Sequence, residues 1–183
     1  MIDPTLEFLY GLHNRGIKLG LKNINSFLKI CGDPHEKIKT IHLAGTNGKG
    51  STSSIIAKIL QNNGYKVGLY TSPHLINFNE RIRIDGIPIS DEKIIKFIER
   101  HKQTLIDSSI TFFEATTALA FEHFADQKVD IAIVETGLGG RLDSTNVLTP
   151  LQTIITEIHY DHTHILGESI EEITTEKCGI FKD

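Results

Sequence analysis

Residues 40–52 read TIHLAGTNGKGST, and this stretch decides the fold. Its first five residues have the apolar character of a short strand, and they run directly into a glycine-rich turn. Apolar residues at helical spacing follow from Ser51 onward. Glycines let backbone N–H groups turn toward an anion, and the start of the following helix adds a positive dipole. A strand, a glycine-rich turn with a lysine and a helix in this order predict a phosphate-binding loop.

The turn is a variant of the P-loop pattern G-x-x-x-x-G-K-[ST]. It departs at both ends, because position 43 is Leu and because Gly50 separates Lys49 from Ser51. Lys49 is expected to meet the outer phosphates of a nucleotide, and Ser51 or Thr52 to offer a hydroxyl to Mg²⁺. The alternative is a glycine-rich turn between strand and helix with an incidental lysine.

Outward from this stretch, predicted strands and helices alternate along the chain. Strands are predicted at 40–44, 66–71, 130–135 and 151–158, a hairpin at 81–89, and helices at 3–13, 23–31, 51–63, 90–106, 111–125 and 169–179. This alternation predicts an α/β fold with a P-loop-type, mostly parallel sheet flanked by helices. Because parallel strands carry their following loops to one edge of a sheet, the segments after Ala44, Thr71, Glu135 and Ile158 are expected to converge there.

Composition excludes several classes of protein. The chain has 183 residues, 39% of them hydrophobic, and a formal net charge of -4, so it lacks the basic excess of a general nucleic-acid or membrane-surface protein. Its two cysteines, Cys31 and Cys178, are too few for a four-cysteine zinc site. The sequence shows no secretory signal, and no apolar stretch approaches the roughly 18 residues needed to span a bilayer. The chain is therefore expected to be cytoplasmic, with no nucleic-acid and no membrane partner.

Several polar residues in the predicted loops have two interpretations each. Glu135 ends an apolar strand, where a carboxylate either binds Mg²⁺ or is simply solvated. Asp143 and Asn146 either orient a polar substrate or make turns. A group of residues in the fourth loop either binds zinc, as in a metal-dependent hydrolase, or lies on the surface; it comprises His159, Asp161, His162 and His164.

The segment Thr111-Phe112-Phe113-Glu114 opens an apolar helix. An acid in the first turn of a helix is favoured by the helix dipole, and that is the simplest interpretation of Glu114. The two phenylalanines are expected in the core rather than against a ligand.

Six segments taken together resemble one family. GTNGKGS, YTSPHL…NERI, TFFEATTALAF, VETGLGGRLDSTN, DHTHILG and EKCGIFK, in this order, are similar to the folylpolyglutamate synthase/dihydrofolate synthase family of the Mur ligase superfamily. The likeness runs from about Leu19 to the last residue. It implies that residues 1–183 are an N-terminal ATP-binding domain, an incomplete Mur-ligase-like central ATPase domain, with the C-terminal glutamate-binding domain absent.

The resemblance implies an ATP-dependent, ADP-forming ligase that works through an acyl phosphate. Such an enzyme joins L-glutamate to dihydropteroate, to a (tetrahydro)folate polyglutamate, or to both, with ATP and Mg²⁺ as cofactors. The full-length protein is expected to be a monomer, and the truncated chain to be inactive alone. Three alternatives remain at this point: a stand-alone nucleotide-binding module, a Mur-type peptide ligase and a zinc hydrolase.

The resemblance also assigns roles to individual residues. The ATP-binding residues are Thr46, Asn47, Gly48, Lys49, Gly50 and Ser51, and the Mg²⁺ ligands are Ser72, Glu135 and His162. The residues against the pteridine-bearing substrate are Leu19, Gly20, Leu21, Thr111, Phe112, Phe113, Glu114, Leu142, Asp143 and Ser144. Lys49, His162 and Lys177 are the catalytic residues, and Lys177 is expected to be carbamylated (N6-carboxylysine). Considered without the resemblance, Lys177 is an exposed helix lysine.

Overall fold

A computed structural model describes residues 4–182, and six strands within this range form one sheet. The strands are β1 (Thr40–Ala44), β2 (Val67–Tyr70), β3 (Ile82–Ile84), β4 (Ile87–Pro88), β5 (Ile131–Glu135) and β6 (Gln152–Ile155). Their order across the sheet is β4-β3-β2-β5-β1-β6. Strands β2, β5, β1 and β6 are parallel, and the hairpin β3–β4 adds an antiparallel edge beside β2. The predicted mostly parallel sheet is therefore confirmed.

Helices cover both faces of the sheet. They are α1 (Pro4–Gly11), α2 (Lys22–Ile30), α3 (Lys49–Asn62), α4 (Asp91–Asp107), α5 (Phe112–Asp126), α6 (Thr163–Leu166) and α7 (Ile170–Cys178). Side chains that accept hydrogen bonds from backbone N–H groups define three of the helix starts, at Ser90, Thr111 and Ser169. Among the described residues, no helix combines the length and the apolar character needed to cross a bilayer.

The core lies on the two sides of the sheet. The larger part packs α1, α2, α4 and α5 against one face, with Phe27, Phe97, Phe121 and Phe124 fully buried in it. The smaller part packs α3 against the other face, around Leu43 of β1. Strand β1 is thus covered on both sides, which is typical of a strand inside a parallel sheet.

The predicted elements differ from the observed ones mainly at their ends. Helix α3 begins at Lys49, two residues before the predicted start, because Gly48 takes a left-handed conformation (φ 81°) that serves as its N-cap. Strand β6 ends at Ile155 rather than at residue 158. The first helix ends at Gly11 and continues as a 3-10 turn over Leu12–Arg15, while residue 3, its predicted start, lies outside the described range. The short helix α6 is not predicted.

Burial of His42 in β1 gives the fold a dependence on pH. The side chain has no exposed surface, and its Nε2 lies 2.8 Å from Oγ1 of Thr145. Burial, together with Lys182, lowers the pKa of His42 to about 3. The unfolded chain therefore binds more protons at this residue between pH 3 and 6.5, so its contribution to stability is present above pH 6.5 and is lost as the pH falls toward 3.

We predict that His42→Gln makes the free energy of unfolding less sensitive to acid. Because glutamine does not titrate, the loss of stability between pH 7 and pH 4 should be smaller by roughly 3 kcal/mol than in the parent protein. Urea unfolding at the two pH values measures this difference, with the exposed His164→Gln as the matched control. Equal losses in His42→Gln and in the parent would contradict the assignment.

Candidate functional site

The carboxyl ends of β2, β5, β1 and β6 bring the four predicted loops to one edge of the sheet. A cavity of about 360 Å³ opens beside this edge. Its wall includes Ser72 from the second loop, Gly137 and Leu138 from the third, and His162 from the fourth. The convergence expected from the sequence is therefore present in the structure.

The glycine-rich first loop is joined to the segment after β6. The backbone N–H of Thr46 donates to the carbonyl of Glu157 (2.7 Å), and Oγ1 of Thr156 donates to the carbonyl of Asn47 (2.7 Å). Gly45, with φ 151°, has no room for a side chain because a Cβ there would collide with the hydroxyl of Thr156. These contacts hold the first and fourth loops as one unit.

Lys49 places its ammonium group inside the first loop. It is the first residue of α3, and its Nζ donates to the carbonyls of Gly45 (2.9 Å) and Thr46 (3.3 Å). The side chain thus spans the turn from the helix back to the end of β1. An ammonium group at a helix N-terminus, next to backbone N–H groups, is suited to binding a phosphate.

Glu135 is a buried carboxylate at the end of β5, the strand beside β1. Only 4% of the residue is exposed, and its Oε2 has no hydrogen-bond partner among the described residues. Burial raises the pKa of Glu135 to about 7, although Lys49 and a backbone hydrogen bond from Ser72 act in the opposite direction. A Cβ placed on Gly50 would lie 3.6 Å from Oε2, so this oxygen borders the first loop.

The free oxygen of Glu135 fits a divalent cation. Burial disfavours the charged form of a carboxylate, and a divalent cation next to it offsets that cost. The other two predicted ligands, Ser72 and His162, both line the neighbouring cavity. His162 stands at the start of α6 with a left-handed backbone (φ 43°), and its Nε2 lies 3.4 Å from Oδ1 of Asp161. Oxygen donors with one imidazole are compatible with Mg²⁺ beside a nucleotide.

The expectation that Lys177 is exposed, drawn from its helix position alone, is wrong. The residue is 1% exposed, and its Nζ donates to the carbonyl of Gly45 (2.9 Å) and lies 3.4 Å from Oδ2 of Asp161. Burial lowers the pKa of Lys177; Asp161 opposes this effect and Lys49 adds to it. A lysine with a lowered pKa has a larger neutral fraction, and only a neutral amine forms a carbamate.

Helix α7 reaches this position because the third loop presents glycine to it. A Cβ on Gly140 would lie 2.5 Å from the carbonyl oxygen of Lys177 and 2.8 Å from that of Glu176. The backbone N–H of Arg141 donates to the carbonyl of Glu176 at 2.7 Å. The absence of a side chain at Gly140 therefore lets α7 approach the sheet edge closely.

Asp143 and Asn146 stabilise the third loop. The buried carboxylate of Asp143 accepts hydrogen bonds from the N–H groups of Gly137 (2.9 Å) and Leu138 (2.8 Å) and from Thr145. Asn146 Nδ2 donates to the carbonyl of Arg141 at 2.9 Å. Of the two interpretations from the sequence, these contacts favour the turn-forming one for both residues, although Asp143 also borders the cavity.

Seven of the ten residues predicted on the substrate side line the cavity. They are Leu19, Thr111, Phe112, Phe113, Leu142, Asp143 and Ser144. The other three lie outside its wall: the N–H of Gly20 donates to the carbonyl of Leu142, Leu21 precedes α2, and Glu114 accepts from the N–H of Thr111 (2.7 Å) in a helix cap. The expectation that Glu114 is an acid in the first turn of the helix agrees with its position, and the structure adds its role in the cap.

Three basic residues in the cavity wall were not identified from the sequence. His13 stacks on the ring of Phe112, with centroids 3.7 Å apart, and Lys18 and Arg81 also face the cavity. Arg81 belongs to the NERI segment, but nothing local in that segment indicates that its side chain turns toward α5. His13 and Arg81 come together because the 3-10 turns that carry them both pack against Phe112 of α5.

The metal-ligand candidates of the fourth loop, His159, Asp161, His162 and His164, do not gather at metal-ligand spacing among the described residues. Within residues 4–182, the side chains that gather at metal-ligand spacing form two groups, Cys31–His101–Glu122 and Asp33–His35–Glu36. Neither group includes His159 or His162. His159 Nε2 instead lies 3.0 Å from Oε1 of Glu157.

Comparison with known proteins agrees with this geometry. The Mur ligase middle-domain family matches residues 43–183. A dihydrofolate synthase/folylpolyglutamate synthase of Bacillus subtilis is 49% identical over 97% of this chain and 43% of its own length. A folylpolyglutamate synthase of Lacticaseibacillus casei is 42% identical over 88% of this chain and 39% of its own length. The chain thus spans less than half the length of these curated relatives.

Solved structures give the same result. Folylpolyglutamate synthase from Thermotoga maritima superposes with a TM-score of 0.87 at 44% identity, covering 98% of this chain and 42% of that one. E. coli FolC in complex with DHPP and ADP superposes with a TM-score of 0.88 at 36% identity, covering 99% of this chain and 44% of that one.

We predict that Gly140→Ala separates α7 from the third loop. The added methyl group meets backbone atoms, which cannot move aside as a flexible side chain can, so the free energy of unfolding should fall by about 1–3 kcal/mol. The control is Gly11→Ala, where φ is -57° and no atom lies within 4 Å of the added carbon. Urea unfolding compares the two variants. Equal stability of Gly140→Ala and the parent would contradict the close contact.

Proposed function

Because this chain belongs to the Mur ligase middle-domain family, with folylpolyglutamate and dihydrofolate synthases as its relatives, we propose that the protein is an ADP-forming ligase of folate metabolism. It joins L-glutamate to dihydropteroate, to a folate polyglutamate, or to both. The observation that carries the proposal is the buried, unpartnered oxygen of Glu135 beside the Lys49 loop, next to a cavity lined by aromatic residues.

The nucleotide binds at the first loop. Backbone N–H groups at the start of α3 and the ammonium group of Lys49 neutralise phosphate charge, as expected for phosphoryl transfer. Solved structures of relatives in complex with AMPPCP or ADP support ATP as the nucleotide. Lys49 now donates to two loop carbonyls, and the same Nζ is expected to turn to the outer phosphates.

The metal-binding residues are Ser72, Glu135 and His162. Mg²⁺ held by them would neutralise the phosphoryl group and fix its orientation. Glu135 contributes a buried carboxylate whose Oε2 has no hydrogen-bond donor among the described residues. Because the three residues come from three loops, their arrangement depends on the packing of those loops rather than on any one segment.

The acid occupies the cavity next to the phosphate loop. Phe112 and Phe113 from α5 and Leu142 from the third loop give it apolar walls suited to an aromatic acid. Relatives in complexes named for DHPP and for folate support a pteridine-bearing acid. A carboxylate oxygen of this acid forms a bond to the γ-phosphorus as ADP leaves, and the amine of glutamate then displaces phosphate from the acyl carbon.

Lys177 is the residue we expect to be modified. Addition of CO₂ to its neutral amine forms a carbamate and releases a proton. The product carries two oxygens of the kind that Mg²⁺ prefers, near the loop that holds His162. Lowering of the lysine pKa by burial favours this reaction, and the tether to Gly45 keeps the group beside the phosphate loop.

Release of ADP tests the function. In the complete protein, ADP formation should require Mg²⁺, dihydropteroate or a folate, and L-glutamate together. Glu135→Gln should abolish it while leaving the fold intact, because the amide keeps the shape and loses the charge. The exposed Glu99→Gln on α4 is the matched control and should remain active.

The outcome also separates the alternatives. Nucleotide binding without any acid-dependent ADP release would favour a stand-alone nucleotide-binding module. Turnover with a nucleotide-linked peptide in place of a pteroate would favour a Mur-type ligase. Near-normal turnover by Glu135→Gln would contradict its role as a ligand.

For Lys177 we predict loss of activity in Lys177→Ala and partial recovery with added short-chain carboxylates, which replace the carbamate oxygens. A carbamate signal in ¹³C NMR of the parent, supplied with ¹³C-bicarbonate and absent from the variant, gives a readout that is independent of turnover. The exposed Lys96→Ala is the control and should retain both. Full activity of Lys177→Ala would show that the carbamate is not required.

A further inference from the structure

Arg81 is a buried arginine in the wall of the cavity. It ends the 3-10 turn Phe78–Arg81 before β3, and only 8% of the residue is exposed. Its Nε donates to Nδ1 of His74 at 2.8 Å, and its guanidinium carbon lies 5.3 Å from the centre of the Phe112 ring. These two contacts fix the plane of the guanidinium group before any ligand arrives.

The charge of Arg81 is not balanced within the described part of the chain. No carboxylate there lies within ion-pair distance of it, and its two terminal amino groups have no hydrogen-bond partner. Its neighbour Glu80 instead accepts hydrogen bonds from the N–H groups of Leu75 (2.9 Å) and Asn77 (2.9 Å). Among the described residues that line the cavity, the one acid is Asp143, and its carboxylate accepts hydrogen bonds from the third loop.

A buried, unpaired charge is unfavourable unless something supplies the opposite charge. A second cation, Lys18, lines the same cavity and adds to the excess of positive charge there. Arg81 itself lines the cavity, so a ligand there can reach its guanidinium group. Both observations indicate an anion as part of the ligand.

The geometry of a guanidinium group favours a carboxylate. Its N–H groups form a planar fork that matches the two oxygens of a carboxylate. The phosphates of the nucleotide have a separate loop on another strand, at Lys49, and the walls around Arg81 are largely aromatic and apolar. An aromatic acid would pack against the apolar walls and pair with the positive charge of Arg81.

We propose that Arg81 binds a carboxylate of the acid that occupies this cavity. The inference rests on the proposed function and extends it by a residue that orients the acid. The carboxylate has two possible sources: the reacting group, which pteroate carries, or a second, non-reacting group of a glutamyl tail, which only a pteroylglutamate carries.

Calorimetric titration of the complete protein with three ligands tests this inference. The ligands are pteroate, its neutral carboxamide and pteroylglutamate. Arg81→Gln should weaken binding of at least one of the two acids by about ten- to a hundredfold, the loss expected for a charge-assisted hydrogen bond. Binding of the carboxamide should not change. Arg83→Gln, two residues along and outside the cavity wall, is the matched control.

Each result decides a separate point. If Arg81→Gln binds both acids more weakly, Arg81 contacts the reacting carboxylate. If it binds only pteroylglutamate more weakly, Arg81 contacts the second carboxylate. Unchanged binding of both acids, or equal weakening of the carboxamide, would overturn the proposal, since the latter indicates only a structural role. A parent protein that binds none of the three ligands would contradict the proposed function itself. If Arg81→Gln does not fold, Arg81→Lys keeps the charge without the fork and should weaken the same acids to a smaller extent.

Discussion

The ammonium group of Lys177 donates a hydrogen bond to the carbonyl of Gly45, a residue 132 positions earlier in the chain. This contact joins α7 to the residue that follows β1. The same lysine lies close to Asp161 in the fourth loop, and its backbone packs on Gly140 in the third. The positions of the first, third and fourth loops at the sheet edge therefore depend on the position of α7.

Not every charged group at this edge of the sheet has a full set of partners within the protein. Lys49 and Lys177 are both held on loop carbonyls, while Glu135 retains a buried oxygen without a partner. Burial moves the pKa of Glu135 up and that of Lys177 down, so each group is pushed toward its neutral form. In the function that we propose, a phosphate and a divalent cation supply the missing charges of both signs.

Much of the fold follows from the sequence because its signals are local. The apolar strands, the turn at Gly48 and the cap at Ser90 are each determined by a few neighbouring residues, and parallel strands place their following loops at one edge. The burial of Lys177 is different, because it depends on a glycine 37 positions earlier, Gly140, that leaves space for α7. Arg81 and His13 likewise join the cavity through packing around Phe112, for which no short segment carries a signal.

The transfer of oxygen from acid to phosphate tests the central claim most directly, namely that this sheet edge activates a carboxylate with ATP. Pteroate labelled with ¹⁸O in its carboxylate would be turned over by the complete protein with ATP, Mg²⁺ and L-glutamate, and the released phosphate analysed by mass spectrometry. Attack of the carboxylate on the γ-phosphorus, followed by displacement at carbon, predicts one labelled oxygen in each phosphate. Phosphate free of label would contradict the account, because it would mean that water rather than the acid attacks ATP.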